Sequence, residues 1–317
     1  MHEKKIKVAY FLGRLNRGGM ETLLLDLLHL AGEAPGEMMV IYREEGNVSG
    51  LFRATGVKMV KINFRGSLDL PAAWRTRRLL RREGVDIVHA QHPLEAFRAW
   101  IASAGTRVRV VMTLHGYDFH QSRAGAIITR WMLRRTRLNF FVSEAQRRYY
   151  ERKYHLDARR QTVLYNGIRL DKLAAPGETG DFRRPGAWLL GMVGSFNAGR
   201  DQMVVCRFLT LLKEAGVPFR FLFAGHDATP SGEACKRYCR EHRLEEEVAF
   251  LGTQDDVPGI LSRLDAFIYA TSHDTFGIAV AEAIAAGLPA FVNDWEVMRE
   301  ITEGGALATL YRTGDEA

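Results

Sequence analysis

Four short stretches of the sequence carry residue types that can do chemistry. The sharpest is SHDTFGIAVAEAIAAGLP, in which seven residues separate Asp274 from Glu282. Asp274 falls just ahead of an expected helix start and Glu282 falls inside that helix. Gly277, between them, lets a ligand approach a helix N-terminus, where free amides and positive potential suit an anion. A carboxylate such as Glu282 on a helix otherwise made of Ala, Val and Ile is costly unless donors meet it. Sugar or ribose hydroxyls would serve, and so would an internal donor. The second stretch, LLGMVGSFNAGRDQ, ends a buried strand at Gly194 and delivers Arg200 to the start of a helix. A guanidinium offers a planar fork of donors to phosphate oxygens, although an exposed arginine in a turn fits the same residues.

The other two stretches are less specific. VVMTLHGYD presents His115 and Asp118 at the carboxyl end of a strand, the place where α/β sites lie. A structural histidine would look the same. KVAYFLGRLNRGGMETLLLDLL sets Gly18 and Gly19 between a strand and a helix, so that a ligand can come close to the backbone. A plain strand–helix turn also accounts for it, and the pattern is not the Gly-x-Gly-x-x-Gly of dinucleotide folds.

These stretches need elements to hold them, and the hydropathy pattern supplies them. Short apolar runs at 7–12, 38–42, 58–62, 86–89, 108–113 and 138–142 read as strands. Amphipathic stretches at 21–30, 72–82, 124–135 and 144–153 read as the helices between them. Residues 170–186, rich in Gly, Pro and charge, read as a linker. A second series follows, with strands at 188–193, 219–223, 248–251, 266–270 and 289–292. Its helices fall at 202–215, 232–243, 257–262 and 279–286. Strand–helix alternation twice over predicts two doubly wound, Rossmann-like α/β domains with parallel sheets, at 1–170 and 187–317, joined by a linker at 171–186.

Composition narrows the class. A 317-residue chain that is 47% apolar and 26% charged is globular, which excludes disordered, collagenous and coiled-coil chains. No run approaches the roughly 18 apolar residues of a membrane span, and the N-terminus reads as a buried strand rather than a secretion signal. Three cysteines in the second half make no disulfide framework and no zinc site, so a reducing, cytoplasmic setting is expected. Charge is uneven. Residues 1–170 hold 30 Lys and Arg against 15 Asp and Glu, a net +15, whereas residues 171–317 hold 14 against 22, a net −8. The basic residues gather on expected helices, with Arg75, Arg78 and Arg82 on one face and Arg123, Arg130, Arg134 and Arg137 on another. A solvated face explains them, and so does attraction to an anionic acceptor or lipid surface. Nucleic acid is not indicated, because no nucleic-acid-binding module is present.

Taken in order, five markers resemble the retaining glycosyltransferases of family 4, group 1, with the GT-B fold. They are Gly18-Gly19-x-Glu21, His115-Gly116, Leu164-Tyr165-Asn166-Gly167-Ile168, the Gly194–Arg200 loop, and Asp274-x7-Glu282 with its trailing Gly287-Leu288-Pro289. The resemblance implies two domains facing across a cleft. It also implies transfer of a sugar from a nucleoside-diphosphate donor to a hydroxyl of a glycan or lipid-linked acceptor. It places Gly18 and Gly19 near the donor diphosphate and the acceptor, His115 at the transferred sugar, Arg200 at the diphosphate, and Asp274 at sugar hydroxyls. The backbone of Phe276, Gly277 and Ile278 would hold sugar or phosphate, and Glu282 the ribose. Asp118, Arg130 and Arg134 fall on the acceptor side.

Three departures stand out. Ser195 occupies the place of the family's second diphosphate-binding cation, and Asp274 replaces a usual Glu. The chain also stops before the final helix that family members carry back to the first domain, so the second domain is expected to be incomplete. No Asp-x-Asp occurs, so neither a metal nor another cofactor is expected. The enzyme is expected in the cytoplasm, peripheral on the inner membrane face. Two other functions fit the same architecture: a nucleotide-sugar epimerase, and a non-catalytic nucleotide-sugar-binding protein.

Overall fold

The structure is a computed structural model that describes residues 5–119, 121–173, 182–197 and 199–313. The chain divides into two compact units, Met1–Gly167 and Ile168–Ala317. Within the expected linker, residues 174–181 lie outside the described residues. Its first part is helical rather than irregular, as shown below.

The first unit alternates strand and helix: β1 (Lys7–Arg14), α1 (Gly19–His29), β2 (Glu37–Glu44), α2 (Ser49–Ala54), β3 (Lys58–Lys61), α3 (Leu70–Arg82), β4 (Ile87–Ala90), α4 (Pro93–Ser103), β5 (Arg109–Leu114), α5 (Arg123–Arg135), β6 (Asn139–Phe141), α6 (Glu144–Tyr154) and β7 (Gln161–Val163). The seven strands are parallel, in the order β3-β2-β1-β4-β5-β6-β7. Successive side chains of a strand point to opposite faces, and a parallel sheet buries both. In β1, Ala9 and Phe11 therefore join Met39, Leu79 and Leu80 in one core, while Tyr10 and Leu12 join Leu24, Leu28 and Phe52 in another. Each large apolar side chain so buried contributes roughly 1.5–3 kcal/mol.

Caps set where the helices begin. Asp69 accepts from Ala72 N at the start of α3, Ser122 from Gly125 N at α5, and Ser143 from Gln146 N at α6. Helix α5 ends at Arg135. Arg137 therefore does not share the helical face of Arg123, Arg130 and Arg134, and its backbone N–H instead bonds Val110 O just ahead of β6.

The second unit repeats the plan with α7 (Leu170–Leu173), β8 (Trp188–Val193), α8 (Gln202–Glu214), β9 (Phe219–Ala224), α9 (Pro230–Glu241), β10 (Val248–Phe250), α10 (Val257–Leu261), β11 (Ala266–Tyr269), α11 (Ile278–Ala285), β12 (Ala290–Asn293), α12 (Glu296–Ile301) and β13 (Thr309–Tyr311). Its six parallel strands run β10-β9-β8-β11-β12-β13. Phe221, Phe223, Phe267 and Tyr269 are buried in its core. Cys206, Cys235 and Cys239 are free and buried. Among the described residues, no helix is long and apolar enough to cross a membrane. Strand order reverses between β1 and β4 in the first unit and between β8 and β11 in the second. In open α/β sheets the crevice beyond the strand ends at such a reversal is where ligands bind.

Candidate active site

In the second unit the reversal brings together three residues that are distant in sequence. β8 ends at Val193, and Gly194 turns the chain with φ +152°. A methyl group at Gly194 would overlap the Arg200 guanidinium, so the missing side chain is what lets Arg200 lie across the strand end. The loop is fastened to the segment after β11. Ser272 N and Thr271 Oγ1 both donate to Gly199 O at 3.0 Å, and Asp201 N donates to Ala270 O at 3.1 Å. Asn293 holds the other side of that segment, accepting from Thr271 N and donating to Thr271 O at 2.8 Å each.

Arg200 then faces Asp274, with Nη2 and Oδ1 3.6 Å apart. The other carboxylate oxygen accepts from the hydroxyl of Tyr269, a fully buried residue whose ring centroid lies 5.8 Å from the guanidinium. Burial works against the charge of Arg200, but Tyr269 and Asp274 outweigh it and hold its pKa above the ordinary value. Burial also pushes the Tyr269 hydroxyl well up, so it stays a donor. Among the described residues, Arg200 Nε in this loop and Gln202 Oε1 at the start of α8 are buried polar atoms without a protein partner. Gln202 meanwhile donates through Nε2 to Ser195 O at 3.2 Å and Gly194 O at 3.4 Å. Orphaned polar atoms beside a strand end mark a place that ligand or solvent completes. Ser195 itself is exposed.

The helix after this loop starts as the glycine suggested. Gly277 precedes α11 with φ +84°, and a Cβ there would come within 2.7 Å of Met298 Cε. Phe276 is buried beside it, and Ile278 opens the helix. Glu282 lies one turn on from Ile278, half-buried, while Val280 and Ala283 turn into the core.

The first unit has its own crevice, a cavity of about 380 Å³ lined by Glu21, Arg43, Gln91, Glu95 and His115 among others. His115 Nε2 lies 2.8 Å from Gln91 Oε1, and Gln91 Nε2 donates to His89 O at 3.3 Å. That second bond orients the amide, so His115 Nε2 must be the protonated nitrogen. Burial, with His89 and His92 nearby, pushes the His115 pKa down to about 3, and the imidazole is neutral at pH 7. Glu21, in the first turn of α1, packs over Gly18, where a Cβ would meet its Oε2 at 2.6 Å. Burial raises its pKa to about 7. Two of its lining residues belong to an ion-pair cluster: Glu95 pairs with Arg43 at 3.3 Å and with the buried Arg98 at 3.0 Å, and Arg98 stacks on Phe64.

The expected residues therefore separate into two groups. Arg200 and Asp274 meet directly, and His115 and Glu21 line the cavity of the first unit, with Gly18 beneath Glu21 at the start of α1. Asp118 does not offer an open carboxylate. It accepts from Tyr149 OH and Lys153 Nζ at 2.7 Å each and from Tyr154 OH, and so ties the loop after β5 to α6. Arg130 and Arg134 are exposed on α5, and Arg134 donates to Tyr154 O at 3.0 Å. Tyr269, Gln202, Thr271 and Asn293 escaped the sequence reading. Tyr269 looks like one more core residue of an apolar strand, and nothing in the spacing marks the others. Among the described residues, no group of three or more His, Cys, Asp and Glu is arranged to hold a metal ion.

Residues 17–172 match the family model of Glycosyltransferase Family 4, and residues 182–316 match that of Glycosyl transferases group 1. The chain belongs to the group 1 glycosyltransferases. It has their GT-B fold and is an enzyme that uses a nucleotide-sugar donor. This glycosyltransferase is 22% identical to the putative glycosyltransferase EpsF of Bacillus subtilis, across 98% of this chain and 84% of that protein. It is 21% identical to the UDP-Gal:alpha-D-GlcNAc-diphosphoundecaprenol alpha-1,3-galactosyltransferase of Escherichia coli, across 92% of this chain and 80% of that one. In fold it is similar to the crystal structure of Anabaena Alr3699/HepE in complex with UDP and glucose. The TM-score is 0.82 at 17% identity, over 98% of this chain and 86% of that chain.

Proposed function

We propose that this enzyme is a retaining glycosyltransferase that works without a metal ion. It moves a sugar from a nucleoside-diphosphate donor to a hydroxyl of a glycan or lipid-linked acceptor at an anionic membrane surface. The observation that carries the reading is Arg200, laid over Gly194 at the strand reversal of the second sheet, with Nε unpartnered and Asp274 steering its fork. The lipid-linked acceptor is supported by the Escherichia coli relative, whose name gives a diphosphoundecaprenol acceptor.

In the proposed reaction the bond from sugar C1 to the β-phosphate oxygen breaks, and its electron pair leaves with the nucleoside diphosphate. The acceptor oxygen bonds to C1 on the face just vacated, and its proton passes to the departing β-phosphate, so no side-chain base is needed. Charge grows on that phosphate as the bond breaks. Arg200 and the first amides of α11 at Gly277 and Ile278 are assigned to it, because donors fixed in advance stabilise developing charge most. Ser195 contributes no charge there, which puts more of the task on Arg200. Asp274 both orients Arg200 and receives sugar hydroxyls, and Glu282 receives those of the ribose. His115, neutral at pH 7, is assigned to the transferred sugar as a hydrogen-bonding group rather than an acid.

The test is a thermal-shift screen over nucleotide sugars in EDTA, followed by mass spectrometry of the products with and without acceptor. One class of donor should raise the melting temperature and the Glu282→Ala variant should lose that shift. A shift that survives Glu282→Ala refutes the ribose assignment. Donor consumption that yields an isomerised nucleotide sugar without acceptor refutes transfer.

A further inference from the structure

In the first unit, α3, α4 and α5 lie side by side, with α4 in the middle. The outer edge of this layer carries an unusual surface. Leu68, Leu70 and Trp74 are 68%, 64% and 61% exposed, in or just before α3. Arginines surround them. Between α3 and the edge strand β3 runs a groove of about 740 Å³, lined by Lys61, Arg75, Arg78 and Arg82 with Trp74 at its margin. The two acids nearby are already engaged. Asp69 accepts from the backbone amides of Ala72 and Arg65, and Glu83 pairs with Lys58 at 2.6 Å and Arg82 at 3.0 Å. Among the described residues, no carboxylate lies within ion-pair distance of Lys61, Arg65, Arg75, Arg78 or Arg81. Arg78 lies over the Trp74 ring, 5.8 Å from its centroid.

We infer that this face of α3 docks on an anionic lipid bilayer, with Trp74, Leu70 and Leu68 entering the interface and lipid phosphates occupying the groove beside β3. The inference rests on the membrane reading given above and assigns it to particular side chains. Charge alone would suit any polyanion. Three large apolar side chains held out in water among unpaired cations suit a surface that has both phosphates and hydrocarbon, and tryptophan prefers that boundary. Helix α5 is the weaker candidate. Its exposed stripe of Arg123, Ile127, Arg130 and Arg134 holds one large apolar side chain, and Arg134 is drawn aside to Tyr154 O. The proposed contact also serves the activity. It would hold the cavity of the first unit close to a surface that carries the acceptor.

The experiment is co-sedimentation of the full chain with phosphatidylcholine vesicles, with and without 30 mole per cent phosphatidylglycerol, at fixed salt. The variants are Trp74→Ala/Leu70→Ser, Arg75→Glu/Arg78→Glu and Arg130→Glu/Arg134→Glu. All these side chains point to solvent, and the nucleotide-sugar thermal shift of each variant checks that the donor site is intact. The wild type should bind the anionic vesicles and not the neutral ones. The apolar variant should lose about tenfold in partitioning, and each charge reversal on α3 about fivefold or more. The α5 pair should lose less than the α3 pair. If the apolar variant binds as well as wild type, the contact is one of charge alone and the inference fails. If the α5 pair loses most, the bilayer is met elsewhere and the inference fails while the membrane reading stands. If the wild type binds no vesicle, both fail.

Discussion

Glu21 offers a prediction whose sign and size follow from the structure. Its carboxyl lies over Gly18 in the first turn of α1, with no cationic partner within 4 Å among the described residues, and burial raises its pKa from 4.5 to about 7. A shift of that size penalises the ionised form by roughly 3 kcal/mol. Discounting for the part of the side chain still open to water leaves on the order of 2 kcal/mol. Between pH 4.5 and 7 the unfolded chain has released this proton and the folded chain keeps it. The unfolded state thus binds fewer protons, and stability falls as pH rises through that window and levels above 7. Glutamine has the same shape and no proton to lose. Glu21→Gln should therefore match wild type near pH 4.5 and exceed it by about 2 kcal/mol at pH 8. Urea unfolding followed by circular dichroism at both pH values measures the difference, read from the transition of the first unit. An equal offset at both pH values, or a less stable variant at pH 8, would refute the reasoning.

The histidines of the same unit act in the opposite direction. Burial lowers His89 to about 4 and His115 to about 3, so the unfolded chain binds more protons below pH 6.5 and stability falls on acidification. His89→Gln/His115→Gln should flatten that acid limb in urea titrations, and an unchanged limb would refute the assignment. Glu95→Ala leaves Arg98 buried without its partner and should cost about 3–5 kcal/mol. Glu95→Leu/Arg98→Met, measured by the same unfolding assay, should regain most of it. Gly277→Ala forces a side chain into a φ of +84° against Met298, and should lower stability by about 1 kcal/mol or more in thermal unfolding.

The sheets were legible because a parallel strand buried on both faces is an uninterrupted apolar run. β8 falls at the expected residues 188–193, and the other expected strands differ from those observed by one or two residues at their ends. Helix α4 was not legible, because its inner face holds Glu95 and Arg98, whose charges break the apolar period. The signal that could have revealed it is Pro93 in the first turn, preceded by the cap His92. β7 and β13 are three residues long and open on polar residues, Gln161 and Thr162 in one and Thr309 in the other, whereas the equally short β6 and β10 stand in longer apolar runs. At the site, Gly194, Arg200, Gly277 and Asp274 stand out by type and position. Their arrangement does not, since Arg200 and Asp274 meet across 74 positions and only the strand reversal joins them. Asp118 misleads for the same reason. Its three donors come from α6, more than thirty residues on.

In the proposed reaction the donor diphosphate is held by Arg200 and the amide end of α11 without help from a cation. Donor turnover by wild type and Arg200→Ala, each in EDTA and in excess magnesium, tests it most directly. The wild-type kcat/KM should be indifferent to EDTA, and the variant should be slower by about 10²–10³-fold, a loss that magnesium does not restore. A wild type that stops in EDTA and recovers with magnesium would contradict it, as would a variant that turns over donor at the wild-type rate.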